Sequence, residues 1–190
     1  LALRGGYGLS RLLPLLDLPA LAASGKLFVG HSDFTALHMA LLAHGASSFA
    51  GPMLCPDFGR PEPSAFALEN FWHCLRGPEH VLRFESSPHD PLDVAGPLWG
   101  GNLTMLAHLA GSPWLPRLEG GILFLEDINE HPYRIERSLL QLHHAGLLNQ
   151  RAIVLGDFSG YRLAEYDNGY AFDAMLDFLR ERVGVPIVTG

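Results

Sequence analysis

Cysteine is scarce in this chain, and so is positive charge. Only 2 cysteines, Cys55 and Cys74, occur among 190 residues, and they form no CxxC pair. Their spacing therefore indicates neither a zinc site nor a disulfide scaffold, and it favours a reducing compartment. The 13 Lys and Arg residues are outnumbered by 20 Asp and Glu, which gives a formal net charge of -7. This balance argues against nucleic acid or an anionic membrane as a partner, and it favours small-molecule or peptide substrates.

Long apolar segments are missing as well. No apolar run reaches the roughly 18 residues of a membrane-spanning helix, and no basic segment followed by an apolar one indicates a secretion signal. The chain begins at Leu1 without a methionine and ends on the apolar stretch 185–190. The first residues are typical of the end of a strand, and the last residues are typical of a strand whose following loop is missing. We therefore expect the chain to be a piece of a longer protein.

Apolar runs that end in glycine or polar residues alternate with helical patterns, which is the order of a parallel α/β layer. Strands are predicted at 1–3, 27–29, 81–85, 120–125, 152–155 and 185–188, and a loop at 86–91. Helices are predicted at 9–16, 33–44, 65–75, 99–109, 132–145 and 170–183. Prolines and glycines between Gly51 and Pro63 indicate a domain boundary or a long crossing loop.

One serine stands where a short apolar strand meets a helical pattern, in the stretch Lys26–Thr35. A strand, a tight turn and a helix place the turn residue beside the amide groups of the helix N-terminus, where an acyl-transfer nucleophile belongs. We interpret Ser32 as that nucleophile. The alternative is that Ser32 only N-caps the helix, which is the commoner role for this stretch taken alone. The motif GxSxG is not met, because Phe34 occupies its fifth position.

An acidic cluster follows the apolar run Gly120–Leu125, at the predicted end of another strand. Ligands of α/β folds gather at the carboxyl ends of strands, so Ser32 and Glu126 form an attractive pair in which Glu126 could orient a histidine. Asp127 and Glu130 compete for this role, and a solvated, helix-capping loop is an equally good interpretation of the cluster. His31 is not expected to be the base, because neighbouring side chains diverge in such a turn.

Five ordered blocks resemble the LD-carboxypeptidase family, which includes the microcin C immunity peptidases. The blocks are Arg4–Gly8 with Leu12–Asp17, Gly30–Asp33, Gly51–Pro52, Gly100–Leu103, and Leu125–Glu130 with Pro132–Arg137. Each block alone is weak, but together they extend over nearly the whole chain. The resemblance implies a cytoplasmic serine peptidase with a Ser-His-Glu triad and no metal or other cofactor. Such an enzyme releases terminal D-alanine from murein tetrapeptides in cell-wall recycling by cleaving an L,D peptide bond.

The resemblance also implies roles for individual residues. Ser32 matches the nucleophile, and Glu126 matches the triad carboxylate. The oxyanion hole would consist of the backbone N–H groups of Asp33 and Gly6. The candidate substrate-binding residues are Arg4, Tyr7 and Asn102.

The expected fold is α/β, with the remainder of a parallel-sheet N-terminal domain and a C-terminal domain of mainly β sheet with flanking helices. We predict the N-terminal domain over residues 1–60, a crossing linker over 61–95 and the C-terminal domain over 96–190. The triad histidine of the family follows a strand and a glycine-containing turn, in a pattern like TGLPxGH. It is therefore expected beyond residue 190, and the 190-residue span alone should lose a factor on the order of 10⁴ in activity.

Two other functions stay open at this level. The first is an immunity-type peptidase that cleaves a microcin C-like peptidyl or aminoacyl nucleotide. The second is a non-catalytic α/β domain whose glycine-rich loops bind a small anionic ligand. The family resemblance also implies a homodimer.

Overall fold

The computed structural model describes residues 1–86 and 92–190, which form two compact units. The first unit contains Leu1–Phe84 and Pro113–Pro116, and the second contains Glu85–Ser112 and Arg117–Gly190. Most of the predicted loop at 86–91 lies outside the described residues. In the part that is described, no helix has the length and apolar character needed to cross a membrane. The predicted domain boundaries at residues 60 and 95 stay a prediction.

The first unit combines short helices with a two-stranded parallel sheet, β1 (Val29–Gly30) and β2 (Phe49–Ala50). Its helices are α1 (Leu9–Leu12), which continues as a 3₁₀ turn (Leu13–Leu15), α2 (Leu18–Ala23), α3 (Thr35–Ala43) and α4 (Ala65–Arg76). Side chains cap two of them, because Asp17 accepts from the N–H of Ala20 and Ser64 accepts from that of Ala67. Such caps satisfy amide groups that have no partner within the helix.

Several element predictions in the first unit were wrong. Residues 1–3 form no strand, although the N–H of Ala2 donates to the carbonyl of Val29 at 2.7 Å. Residues 81–85 do not form the predicted strand, and their apolar side chains Val81, Leu82 and Phe84 are exposed. Helix α2 and strand β2 were not predicted. The helix predicted at 65–75 is confirmed as α4.

The second unit is a four-stranded parallel sheet with helices between its strands, which confirms the predicted α/β class. Its strands are β3 (Leu98–Asn102), β4 (Ile122–Glu126), β5 (Ala152–Leu155) and β6 (Ile187–Thr189), adjacent in that order. Its helices are α5 (Leu103–Leu109), α6 (Pro132–His144) and α7 (Phe172–Val183). The fully buried strand residues Leu123, Leu125, Ile153 and Leu155 form the centre of its core.

The helix predicted at 99–109 begins only at Leu103, because residues 98–102 are strand β3. The glycines of this strand have φ values of +118° at Gly100 and +137° at Gly101, which residues with a side chain rarely adopt. A Cβ on Gly100 would also overlap the carbonyl oxygen of Phe124 on β4. Glycine here permits close strand pairing, whereas the sequence pattern alone suggested a helix start.

Candidate active site

Ser32 lies in the turn between β1 and α3 with a left-handed backbone conformation. Its φ is +58°, and it is the first residue of a 3₁₀ turn, Ser32–Phe34, that leads into α3. A left-handed conformation costs a residue with a side chain about 1–2 kcal/mol. Such strain persists only where the surrounding structure holds it, and it is concentrated at functional sites. The order of strand, left-handed serine and helix is compatible with a nucleophile elbow, and this turn is called the elbow below.

The structure does not support helix capping by Ser32. The N-cap positions belong to His31 for the 3₁₀ turn and to Phe34 for α3, and neither residue makes a side-chain capping bond. Ser32 lies between these two positions. The simpler alternative for this serine was therefore wrong.

The glycine-rich loop that contains Arg4–Gly8 packs directly on Ser32. A Cβ built on Gly5 would stand 3.2 Å from both Cβ and Oγ of Ser32, and 3.5 Å from Oδ2 of Asp33. A Cβ on Gly6 would meet nothing within 4 Å, so the backbone of Gly6 is open on that side. The structure thus places the loop against Ser32, while the nucleophile role of Ser32 and the oxyanion roles of Gly6 and Asp33 stay predictions.

The two other candidates in this loop are exposed. Arg4 donates from Nε to the carbonyl of Gly5 at 3.0 Å, which stabilises the loop next to Ser32. Tyr7 is 83% exposed, and the guanidinium of Arg11 lies 6.0 Å from the centre of its ring. Both positions are compatible with substrate contact, and that role stays a prediction.

His38 was not singled out from the sequence, yet it is buried close to the elbow. Its Nε2 lies 2.9 Å from the carbonyl oxygen of Gly30, and its Nδ1 lies 2.7 Å from Oγ of Ser48. Burial lowers the pKa of His38, so the ring is neutral near pH 7. Nε2–H then donates to Gly30, and Nδ1 accepts from Ser48. The signal in the sequence was a single ionisable residue within the apolar stretch of α3.

His31 forms a second pair near the elbow, with a partner that the sequence did not indicate. Its Nε2 lies 2.9 Å from Oδ2 of Asp57, in a π-helical turn at Leu54–Phe58, and the same oxygen accepts from the N–H of Met53. The His31 side chain is 43% exposed. Its ring is thus bonded to Asp57.

In the second unit, Asn102 and Glu126 are register partners at the carboxyl ends of β3 and β4. Asn102 is buried, and both ends of its side chain are bonded within the unit. Its Oδ1 accepts from the N–H of Met105 at 3.0 Å and caps α5, while Nδ2 donates to Asp127 at 3.0 Å. The structure therefore gives Asn102 a structural role, and its substrate contact stays a prediction.

Asp127 is a structural carboxylate. It is 6% exposed and accepts four hydrogen bonds, from Nδ2 of Asn102, from N and Oγ1 of Thr104, and from the N–H of Ile128. Oε2 of Glu130 lies 3.7 Å from Nη1 of Arg134, one helical turn further along the chain, so this carboxylate is paired with an arginine. Of the three competing carboxylates, Glu126 is the one that ends strand β4.

Two parts of the chain match known domains of one family. The LD-carboxypeptidase N-terminal domain matches residues 1–51, and the LD-carboxypeptidase C-terminal domain matches residues 95–190. The chain belongs to the LD-carboxypeptidase family. The family resemblance inferred from the sequence blocks is thereby confirmed.

Individual relatives agree with this assignment. The crystal structure of muramoyltetrapeptide carboxypeptidase from Oxalobacter formigenes has a TM-score of 0.95 and 60% identity, over 100% of this chain and 66% of that chain. Murein tetrapeptide carboxypeptidase of Pseudomonas aeruginosa is 40% identical over 167 residues, 83% of this chain and 54% of that protein. The microcin C7 self-immunity protein MccF of Escherichia coli is 31% identical over 185 residues, 80% of this chain and 54% of that protein. The chain thus spans 54–66% of the length of these relatives.

The predicted site residues divide between the two units of this LD-carboxypeptidase chain. Ser32, Asp33 and Gly6 belong to the first unit, as do Arg4 and Tyr7, whereas Asn102 and Glu126 belong to the second. Within the second unit, the carboxyl ends of β5 and β6 border a cavity of about 850 Å³, lined among others by Asp157 and Thr189. Across the described residues, no group of three or more side chains is arranged to hold a metal ion.

Proposed function

We propose that this protein is a serine-type LD-carboxypeptidase that removes terminal D-alanine from murein tetrapeptides. The observation that carries the proposal is the left-handed backbone of Ser32, between β1 and α3, with the glycine-rich loop packed on its side chain. The murein tetrapeptide carboxypeptidase of Pseudomonas aeruginosa, which is 40% identical, supports the substrate class. The same proposal places the reaction in the cytoplasm, in recycling of the cell wall.

In the proposed mechanism, Oγ of Ser32 attacks the carbonyl carbon of the L,D peptide bond while a base accepts its proton. The N–H groups of Asp33 and Gly6 stabilise the negative oxygen of the tetrahedral intermediate. The base then returns the proton to the departing amine of D-alanine, and an acyl-enzyme remains. Water, activated by the same base, hydrolyses the acyl-enzyme and restores the Ser32 hydroxyl.

The base in this mechanism is a triad histidine that Glu126 orients and stabilises in its protonated form. Neither histidine beside the elbow is assigned this role. Both ring nitrogens of His38 are bonded, one to Gly30 and one to Ser48. His31 is the chain neighbour of Ser32, and neighbouring side chains diverge in such a turn. Asp127 is the neighbouring carboxylate that competes for this role, and it already accepts four structural hydrogen bonds. This argues against Asp127 and supports the assignment of Glu126.

The test measures D-alanine release from murein tetrapeptide by the full-length gene product. Ser32→Ala is expected to lower kcat by about 10⁴-fold or more, because the nucleophile is removed. Ser10→Ala, which changes another serine of the first unit, is the control and should retain activity. A Ser32→Ala variant that releases D-alanine within about tenfold of the wild-type rate would refute the proposal.

A second candidate function is cleavage of a peptidyl or aminoacyl nucleotide, and the 31% identity to MccF favours it. One solved structure of MccF holds aspartyl sulfamoyl adenosine. Incubation of the full-length protein with that compound separates the candidates, since an immunity-type peptidase should hydrolyse it faster than the tetrapeptide. Binding of either compound without turnover would instead indicate a non-catalytic domain.

A further inference from the structure

The strained turn at Ser32 must be held by the structure on both of its sides. On the entering side, strand β1 ends at Gly30, whose carbonyl oxygen accepts from the N–H of Gly51 at 3.0 Å. On the leaving side, α3 begins at Thr35, directly after the 3₁₀ turn. A left-handed residue between these elements relaxes unless they are fixed relative to each other.

His38 connects these two sides. It belongs to α3, and its Nε2 lies 2.9 Å from the carbonyl oxygen of Gly30 at the end of β1. Its Nδ1 lies 2.7 Å from Oγ of Ser48, just before β2, and this contact fixes the ring orientation. A single side chain thus bonds the helix after the nucleophile to the strand before it.

The packing around this connection leaves little freedom. The ring of Phe34 meets the ring of His38 edge to face, with centroids 4.9 Å apart. The same phenylalanine lies so close to Gly30 that a Cβ there would stand 2.6 Å from its ring. Phe34 and His38 therefore clamp Gly30 from the helix side, two residues before Ser32.

We propose that His38 is a positioning residue for the nucleophile, which holds Ser32 in its reactive left-handed conformation by binding the Gly30 carbonyl. This inference rests on the proposed function, because it assigns His38 a part in the same acyl transfer. His38 itself transfers no proton and touches no reacting atom. A small displacement of a reacting group can lower a rate by about 100-fold, so loss of this bond should be visible in kcat.

Two substitutions separate the bond to Gly30 from the bond to Ser48. In His38→Gln the amide nitrogen extends about as far as Nε2 and can still donate to Gly30. In His38→Asn the shorter side chain extends only about as far as Nδ1, so it can reach Ser48 but not Gly30. The expected result is a fall in kcat of about 10- to 100-fold for Asn, with KM within about threefold, and recovery of most of this loss for Gln.

The assay uses D-alanine release by the full-length gene product, with thermal unfolding to confirm that each variant is folded. His31→Gln is the matched control, since His31 is also close to the elbow but bonds to Asp57, and its kcat should be unchanged. A folded His38→Asn variant with wild-type kcat overturns the inference, and so do equal losses for Asn and Gln. If either variant does not fold, His38→Phe replaces it in the test. The measured quantity is then the rate at which an organophosphorus reagent modifies Ser32 in folded His38→Phe protein. A wild-type rate overturns the inference, and a slower rate supports it.

Ser32→Ala in the same assay distinguishes failure of the proposed function from failure of the positioning role of His38. If Ser32→Ala still releases D-alanine, the proposed function itself fails. If Ser32→Ala is inactive while His38→Asn is fully active, only the positioning role of His38 fails.

Discussion

Gly5 and Ser32 lie so close together that a Cβ on the glycine would stand 3.2 Å from Oγ of the serine. This distance is tighter than ordinary van der Waals contact, so any side chain at position 5 presses on the hydroxyl. The two residues are far apart in sequence, and the fold brings them together at the end of β1. The glycine-rich loop therefore forms one wall around the candidate nucleophile.

Gly5→Ala should lower kcat/KM for D-alanine release by about 100-fold, because the added methyl displaces Oγ of Ser32 from its attacking position. The matched control is Gly8→Ala in the same loop, since a Cβ there would meet nothing within 4 Å. Steady-state kinetics of both variants in the full-length protein provide the measurement. Equal activities for the two variants would show that the contact at Gly5 has no influence on the nucleophile.

Ser32→Gly should be more stable than Ser32→Ala by about 0.5–1 kcal/mol, although both should be inactive. Glycine adopts a φ of +58° without strain, whereas alanine keeps the Cβ that makes the left-handed conformation costly. Chemical denaturation of the two variants measures the difference. At His31, where φ is -145°, His31→Ala should instead be more stable than His31→Gly. A more stable Ser32→Ala would argue against a strained elbow.

Glu126→Gln and Asp127→Asn should affect different properties of the protein. Asp127→Asn should lower the free energy of unfolding by about 2–4 kcal/mol, because an NH₂ group that can only donate replaces one of the two oxygens that accept its four hydrogen bonds. Glu126→Gln should lower kcat strongly, since an amide does not stabilise a protonated base. Denaturation and D-alanine release are measured on both variants. The reverse pattern would move the triad carboxylate to Asp127.

Tyr170 should make stability depend on pH in alkali. Desolvation first, and then its hydrogen bond to Glu136, raise the pKa of Tyr170 to about 12. The folded state therefore keeps this proton more tightly than the unfolded state, whose tyrosine has a pKa of about 10. The stabilising contribution is fully present below about pH 10 and is lost as pH rises towards 12. Tyr170→Phe removes this dependence.

Thermal unfolding between pH 8 and pH 11.5 measures the effect of Tyr170, as the difference between the wild type and Tyr170→Phe. The difference in melting temperature should stay constant below about pH 10 and become smaller above it. Tyr7→Phe is the control, because Tyr7 is 83% exposed and its replacement should not alter the pH profile. A constant difference over the whole pH range would contradict the shifted pKa.

Much of the second unit followed from local patterns. The apolar runs at 120–125 and 152–155 predicted β4 and β5, and Pro132 with spaced apolar residues predicted α6. These segments are buried on regular faces, so their periodicity is visible without knowledge of the fold. By contrast, Phe178 on α7 is 38% exposed although it is apolar, while its near neighbour Leu176 is buried. Which face of α7 is covered depends on its neighbours.

The sequence by itself determined the α/β class, the family and the candidate nucleophile, because these depend on local runs and on short ordered motifs. Only the tertiary structure decided that Ser32 is left-handed rather than a helix cap, that Gly5 packs on it, and that Asp127 is a structural carboxylate. It alone also joined His38 to the carbonyl of Gly30. Contacts of this kind join residues from different elements, and their energies depend on distances that no local pattern contains.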